Sequence, residues 1–236
     1  SRGLGDVYKR QAHETLPKSG TDDVLGVQLA QILSEASLSL FVRQAAAIAL
    51  KKYVRKRWSI FFDTFTQDMV VNGIVQTVDA TPVEAKEHIR TSLLACLCDA
   101  EPKVRSQASD ILSLISSCDF PDHFPQLLPT LQAYLHSYTE QDAHAAYKVH
   151  GAMKFLLDLV HVELDENQLL MVAQQLVPLL QGIVSSSSDW ITPHTRARCI
   201  NVFHQCLISL YMAKDTYVDT VHMVTTHYLP PWLQGM

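Results

Sequence analysis

The stretch VRQAAAIAL, residues 42–50, places a base at Arg43, a small residue at Ala46 and a large apolar residue at Leu50. Residues four apart lie on one face of an α-helix, because the helix turns once every 3.6 residues. The same pattern returns at offsets of 62, 43 and 48 residues. The later copies are Val104-Arg105, Ala108, Leu112; Tyr147-Lys148, Gly151, Phe155; and Thr195-Arg196, Cys199, Phe203.

Recurrence of one helical unit at this spacing is typical of α-solenoids, which stack pairs of helices. Eight Gly, ten Pro and almost no strand-like alternation in 236 residues favour helices throughout. We therefore predict an all-α fold, an α-α superhelix (a HEAT/ARM-like solenoid) of antiparallel helix pairs. The pairs are expected at about 22–58, 81–117, 124–162 and 166–213, with a further repeat starting at 217–236. Residues 1–21 are interpreted as a disordered or non-native leader.

Two local signals refine this scheme. Thr81-Pro82-Val83-Glu84 predicts a helix start with Thr81 as the N-cap and Pro82 in the first helical position. The link of residues 59–80 is longer than a helical hairpin needs, and a short helix is expected near 67–77.

Composition narrows the function classes. The net charge is −5, but residues 1–60 hold ten Lys or Arg against five Asp or Glu, and residues 61–236 hold nine against nineteen. A mostly acidic scaffold fits basic protein partners better than nucleic acid. No apolar run is long enough for a bilayer, and the five cysteines lack disulfide or metal spacing, which favours buried thiols in a reducing compartment.

The sequence contains no motif of a known catalytic or metal site. Eleven histidines are present, but His144, His150 and His161 are six and eleven residues apart and do not share one helical face. Glycine-rich phosphate loops, nucleophile elbows and zinc motifs do not occur. We expect no enzyme activity, no metal and no cofactor.

The densest basic cluster is Lys51, Lys52, Arg55, Lys56 and Arg57. One interpretation is an electrostatic edge that binds an acidic partner. The other is a solvated helix end whose bases complement the negative end of the helix dipole.

The recurring bases Arg43, Arg105, Lys148 and Arg196 also allow two interpretations. They form a structural ladder that links one helix pair to the next, or they contact partners. An ion pair between Arg105 and Asp142 would support the structural interpretation, although an exposed pair contributes only about 0–1 kcal/mol.

Three motifs resemble the amino-terminal region of the importin-β (karyopherin) family. The first is Ala47-Ile48-Ala49-Leu50-Lys51-Lys52-Tyr53-Val54, closing at Trp58; the second is the turn from Asp119 through Pro121 and Phe124 to Pro125; the third is Val149-His150-Gly151-Ala152-Met153. In the second motif, Phe120 and Phe124 stand where the family has tryptophan. Together the motifs are most similar to the importin nine branch, and they cover about residues 22–236. The chain looks like an amino-terminal fragment that lacks the first helical pair.

The resemblance implies a nuclear import receptor that binds the small GTPase Ran in its GTP state and basic cargo such as histones. It also implies contact with phenylalanine-glycine repeats of the nuclear pore, and a location in cytoplasm and nucleus. The partner-binding candidates are Lys51, Lys52, Arg55, Lys56, Arg105 and Lys148; the structural motif residues are Leu50, Trp58, Pro121, Phe124, Pro125 and Gly151. The alternative is a HEAT-repeat scaffold or assembly subunit without a transport role.

Overall fold

A computed structural model describes residues 20–59, 62, 81–140, 143–160, 165–212, 215 and 218–234, and the regular structure within these ranges is entirely helical. In chain order the helices are α1 (Gly20–Ser34), α2 (Leu40–Arg57), α3 (Val83–Cys96), α4 (Pro102–Asp119), α5 (Leu127–His136), α6 (Ala143–Val160), α7 (Glu166–Ser185), α8 (Pro193–Met212), α9 (Val218–Met223) and α10 (Leu229–Gln234). A 3₁₀ turn (Ser137–Thr139) follows α5, and a π-helical turn (Val224–Tyr228) joins α9 to α10. None of the described helices combines the length and the apolar character needed to cross a membrane.

The helices pack as consecutive pairs, α1 with α2, α3 with α4, α5 with α6 and α7 with α8. The second helices α2, α4, α6 and α8 also pack against one another in sequence, and α1 packs on α3 as α5 packs on α7. The first and second pairs therefore contact each other through both helical layers, as do the third and fourth, whereas the second and third pairs pack mainly through α4 and α6. This arrangement confirms the predicted all-α solenoid of helix pairs.

The recurring pattern marks the buried face of every second helix. The small residues Ala46, Ala108, Gly151 and Cys199 are buried, and so are the large ones, Leu50, Leu112, Phe155 and Phe203. The first copy differs in one respect. Val42 is 43 % exposed and Arg43 only 2 % exposed, so here the base, not the residue before it, faces the interior.

At Gly151, helix α6 approaches the end of α3 closely. A Cβ atom placed on this glycine would lie 1.7 Å from the backbone carbonyl oxygen of Leu97, at the end of α3. Because that neighbour is backbone and cannot rotate away, only glycine allows α6 to pack against this turn. The Gly151 motif is thus a packing requirement.

Side-chain N-caps form at α2 and α7 but not at α3, α4 or α5. Ser39 caps α2, and Asp165 forms a capping box with Gln168 at the start of α7. The predicted Thr81 cap is wrong: Pro82 holds the N-cap position of α3 without a side-chain cap. The Thr81 hydroxyl instead donates to the carbonyl oxygen of Arg57 at 2.8 Å and contacts the Tyr53 hydroxyl at 3.1 Å. Thr81 therefore bonds to residues of α2 instead of capping α3.

The turn between α4 and α5 contains the predicted motif. Phe120 and Phe124 are buried, Pro121 is half-buried and follows a cis peptide bond, and Pro125 is exposed. Residues 1–19 of the predicted leader, the helix expected near 67–77, His161 and Asp142 fall outside the described residues, whereas Gly20 and Thr21 of that leader begin α1.

Replacing Gly151 by alanine should lower the free energy of unfolding by about 3 kcal/mol, because the new methyl group collides with the Leu97 carbonyl. Urea denaturation of both proteins measures the difference. Gly182→Ala in α7 is the matched control, since its added Cβ would meet the end of the Tyr138 side chain at 2.7 Å, which can move. Equal effects at the two glycines would contradict the close α3–α6 contact.

Candidate partner-binding face

A row of charges crosses the exposed side of the second helices. Lys51 on α2 and Lys154 on α6 both approach Asp110 on α4, with N···O distances of 3.4 and 3.7 Å. Lys154 also pairs with Asp158 on its own helix, and Ser109 of α4 donates to Asp158. Three neighbouring helices thus share one alternating charge network.

The charges border an open groove of about 410 Å³. Its lining consists of Lys51, Arg55, Asp110, Ser113, Leu114, Ser117 and Asp158. The side chains of Lys51 and Asp110 are 36 % and 44 % exposed, so their ion pair contributes only about 0–1 kcal/mol to folding. Charges held this weakly remain able to exchange partners.

The predicted basic cluster surrounds one end of this groove. Lys52, Arg55 and Lys56 are exposed, whereas Lys51 and Arg57 are half-buried. Arg55, Lys56 and Arg57 occupy the last turn of α2, where positive charge also complements the helix dipole. The position is compatible with both interpretations of the cluster, since a base can stabilise a helix end and still face a partner.

Arg43 joins the first helix pair to the second. Its Nε donates to the carbonyl oxygen of Leu33, near the end of α1, at 2.8 Å, and its guanidinium forms a bidentate ion pair with Asp99. Asp99 lies in the loop before α4, 56 positions away in the chain. Arg43 therefore acts as a structural link, and its side chain is too buried to contact a partner.

The other three recurring bases have different contacts. Arg105 donates to the carbonyl oxygen of Ala100 at 2.9 Å and lies over the Tyr147 ring of α6 at 5.2 Å. Lys148 reaches Glu140, in the loop before its own helix, at 3.5 Å. Arg196 donates to the carbonyl oxygen of Val184, near the end of α7, at 3.1 Å. Only Arg43 and Arg105 contact the following pair among the described residues.

A buried charge cluster that the sequence reasoning missed holds α2, α3 and α4 together. Asp119, at the end of α4, accepts a 2.8 Å hydrogen bond from the indole N–H of Trp58 and an ion pair from Arg90 of α3. The Arg90 guanidinium also lies 5.5 Å from the Trp58 ring and 5.3 Å from the Phe124 ring. Trp58 and Phe124 of the sequence motifs are thus two walls of one site. The helical periodicity of the sequence did not predict this site, because that periodicity assigns charged residues to the solvent-exposed face.

The thiols and histidines have structural surroundings. Burial raises the pKa of the Cys96, Cys199 and Cys206 thiols to about 12, which leaves them protonated and unreactive. The half-buried His150 ring contacts the Thr195 hydroxyl at 2.9 Å, and burial, followed by repulsion from Arg105, lowers its pKa. No group of His, Cys, Asp or Glu in the described ranges has the arrangement of a metal site.

Comparison with known proteins finds a matching family model. This model, the Importin-beta N-terminal domain, matches residues 12–99, which include α1, α2 and α3 and begin inside the predicted leader. Through this segment the chain is similar to the importin-β family. Importin subunit beta-5 of Schizosaccharomyces pombe is 28 % identical over 203 residues, which are 85 % of this chain and 19 % of that protein.

Other relatives carry both import and export names. Importin-9 of Drosophila melanogaster is 25 % identical over 185 residues, covering 78 % of this chain and 16 % of the relative. Exportin-2 of the same organism is 24 % identical over 120 residues, 51 % of this chain and 11 % of the relative. The chain spans about a fifth or less of the length of these importin-β relatives. The importin nine branch is supported only in part, because importin subunit beta-5 matches at higher identity over a longer stretch.

Asp119→Asn should destabilise the protein by about 3 kcal/mol, because it removes the buried counter-ion of Arg90 and leaves only the more exposed Glu87 as an ion-pair partner. The change is measured as the difference in unfolding free energy by urea denaturation. Asp122→Asn, at an exposed position three residues further on, provides the control and should change stability by less than about 0.5 kcal/mol. Similar small effects at both aspartates would contradict a buried ion pair.

The lowered pKa of His150 predicts a loss of stability in mild acid. The unfolded chain takes up a proton near the ordinary pKa of about 6.5, before the folded protein does, so stability falls as the pH drops below that value. Unfolding free energies between pH 7.5 and 5.5 should therefore depend less on pH in His150→Gln than in the unaltered protein. His144→Gln, an exposed site on the same helix, should retain the original slope.

Proposed function

We propose that this chain forms part of a nuclear import receptor that moves proteins between cytoplasm and nucleus. The observation that carries the proposal is the match of the Importin-beta N-terminal domain to the segment containing α1, α2 and α3. Solenoids of helix pairs offer extended surfaces and act by binding rather than by covalent chemistry. A role in transport is in keeping with that architecture.

Ran in its GTP state is the proposed regulator of binding. The basic edge of Lys52, Arg55 and Lys56 faces solvent beside the groove, together with the half-buried Lys51. Such a cluster attracts an acidic protein surface and speeds encounter more than it raises affinity. Arg105 and Lys148 lie on the following second helices and form the remaining part of the proposed partner surface.

Basic proteins such as histones are the proposed cargo. Residues 61–236 carry a strong acidic excess, and Asp110 and Asp158 present carboxylates in the groove. A lysine or arginine from cargo competes there with Lys51 and Lys154 for the same carboxylates. Phenylalanine-glycine repeats of the nuclear pore are proposed to meet the outer layer, formed by the first helices.

Ran binding tests this function directly. The full-length protein that contains this chain is titrated with Ran loaded with a non-hydrolysable GTP analogue, and in parallel with Ran bound to GDP. We expect the GTP form to bind at least about tenfold more tightly, a difference of about 1.4 kcal/mol. The double variant Lys52→Gln, Lys56→Gln should weaken this binding by about tenfold.

Lys86→Gln is the control, because Lys86 lies on α3, in the layer of first helices and outside the proposed Ran surface. It should leave the affinity for Ran unchanged. Equal binding of the two nucleotide states, or none, would contradict the transport role and favour a HEAT-repeat scaffold. An unchanged affinity in the double lysine variant would place Ran on another surface.

A further inference from the structure

Basic residues converge where the second helices α4, α6 and α8 begin. Arg105 is in the first turn of α4, His150 in the second turn of α6, and His194 and Arg198 in the first two turns of α8. We call these four residues the basic cluster. Positive helix dipoles at the same three helix starts add to their charge.

Direct contacts hold the cluster together. The Arg105 guanidinium lies 5.2 Å from the centre of the Tyr147 ring, which joins α4 to α6. The His150 ring contacts the Thr195 hydroxyl at 2.9 Å, which joins α6 to α8 next to His194. His194 and Arg198 are four residues apart and share one face of α8.

Like charges within the cluster act on Arg105 and His150, whose pKa values are lowered first by burial and in smaller part by these charges. Arg105 and Arg198 interact as like charges, and both of them, with His194, act on His150 in the same unfavourable sense. Arg198 is half-buried yet makes no hydrogen bond or ion pair with any residue in the described part of the chain. Partly buried cations that face each other are stabilised by an anion between them.

Two nearby carboxylates, those of Asp99 and Glu140, have other ion-pair partners. Asp99, which also acts on Arg105, forms its ion pair with Arg43, and Glu140 pairs with Lys148. On the preceding second helix, α2, the corresponding base Arg43 pairs with the carboxylate of Asp99, which belongs to a neighbouring element.

We propose that the basic cluster of Arg105, His150, His194 and Arg198 binds carboxylates of an acidic segment of a partner protein. The site lies on the helix starts, away from the groove beside the end of α2, and shares only Arg105 with the surface proposed for Ran. Exposed Glu101 and Asp189 near these helix starts disfavour a continuous phosphate backbone, which needs a broad positive surface. A short acidic peptide fits a cluster of this size.

The probe is a fluorescein-labelled peptide of ten glutamates, titrated with the full-length protein at low salt and followed by fluorescence anisotropy. Arg198→Gln should weaken binding by about tenfold, because it removes a cation that has no ion-pair partner among the described residues. Lys86→Gln, which removes a lysine of α3 outside both proposed binding sites, is the control and should change affinity by less than about twofold. Equal affinities of the two variants would overturn the proposal.

Acid provides a second readout that simple loss of folding would not produce. A bound carboxylate favours the protonated imidazole of His150, so the peptide should bind several times more tightly at pH 6.0 than at pH 7.5. This gain should shrink in His150→Gln, which removes the ring between Arg105 and α8 and whose folding the urea measurements above verify. A DNA oligonucleotide of matched charge that binds more tightly than the peptide and depends on Arg198 would also overturn the proposal.

Discussion

The buried carboxylate of Asp119 constrains the arrangement of the first two helix pairs. An aspartate that is 5 % exposed is tolerated only when donors surround it, and here they come from Trp58 of α2 and Arg90 of α3. Removing one partner of a buried pair costs several kcal/mol, whereas the complete pair adds little net stability. The cluster therefore selects one arrangement of three helices instead of simply strengthening it. Phe124 and the Trp58 ring shield the charges from water.

Stacking of the second helices continues this order along the chain. Small residues let their backbones approach, and at Gly151 the approach is so close that no side chain fits. Charged residues are consequently displaced to the two ends and the open side of the layer. The groove beside Lys51 and the basic cluster at the helix starts are products of the same packing. The proposed binding surfaces therefore consist of charged residues that lie outside the apolar core.

Much of the fold could be predicted because a helix pair is a local unit whose apolar period is visible in the sequence. The contacts between pairs are tertiary and leave a weaker trace. Thr81 has the signature of a helix cap, yet its hydroxyl reaches back to Arg57 because that contact links two pairs. Arg90 and Asp119 look like surface residues in the sequence, since nothing local shows that their charges neutralise each other in the interior. The run of lysines and arginines near the end of α2 could be recognised from composition, but the position of the Asp110 carboxylate beside Lys51 could not.

Similarity to the importin-β family adds information on function that packing alone does not provide. The matching segment includes α2 and α3, two of the three helices joined by the Asp119 cluster, so the recognisable sequence and the constrained geometry overlap. The row of shared ion pairs on the open side is weak and exposed, which lets a charged partner exchange for an internal one. The second helices thus carry both a buried link between helix pairs and an exposed row of exchangeable charges.

Native-state hydrogen exchange tests most directly whether α2, α3 and α4 form one locked unit. The account predicts that the Trp58 indole N–H and the central amides of these three helices exchange with the same opening free energy, because Asp119 cannot lose one partner alone. Exchange of the indole N–H through a much smaller opening, while α3 and α4 stay protected, would contradict it.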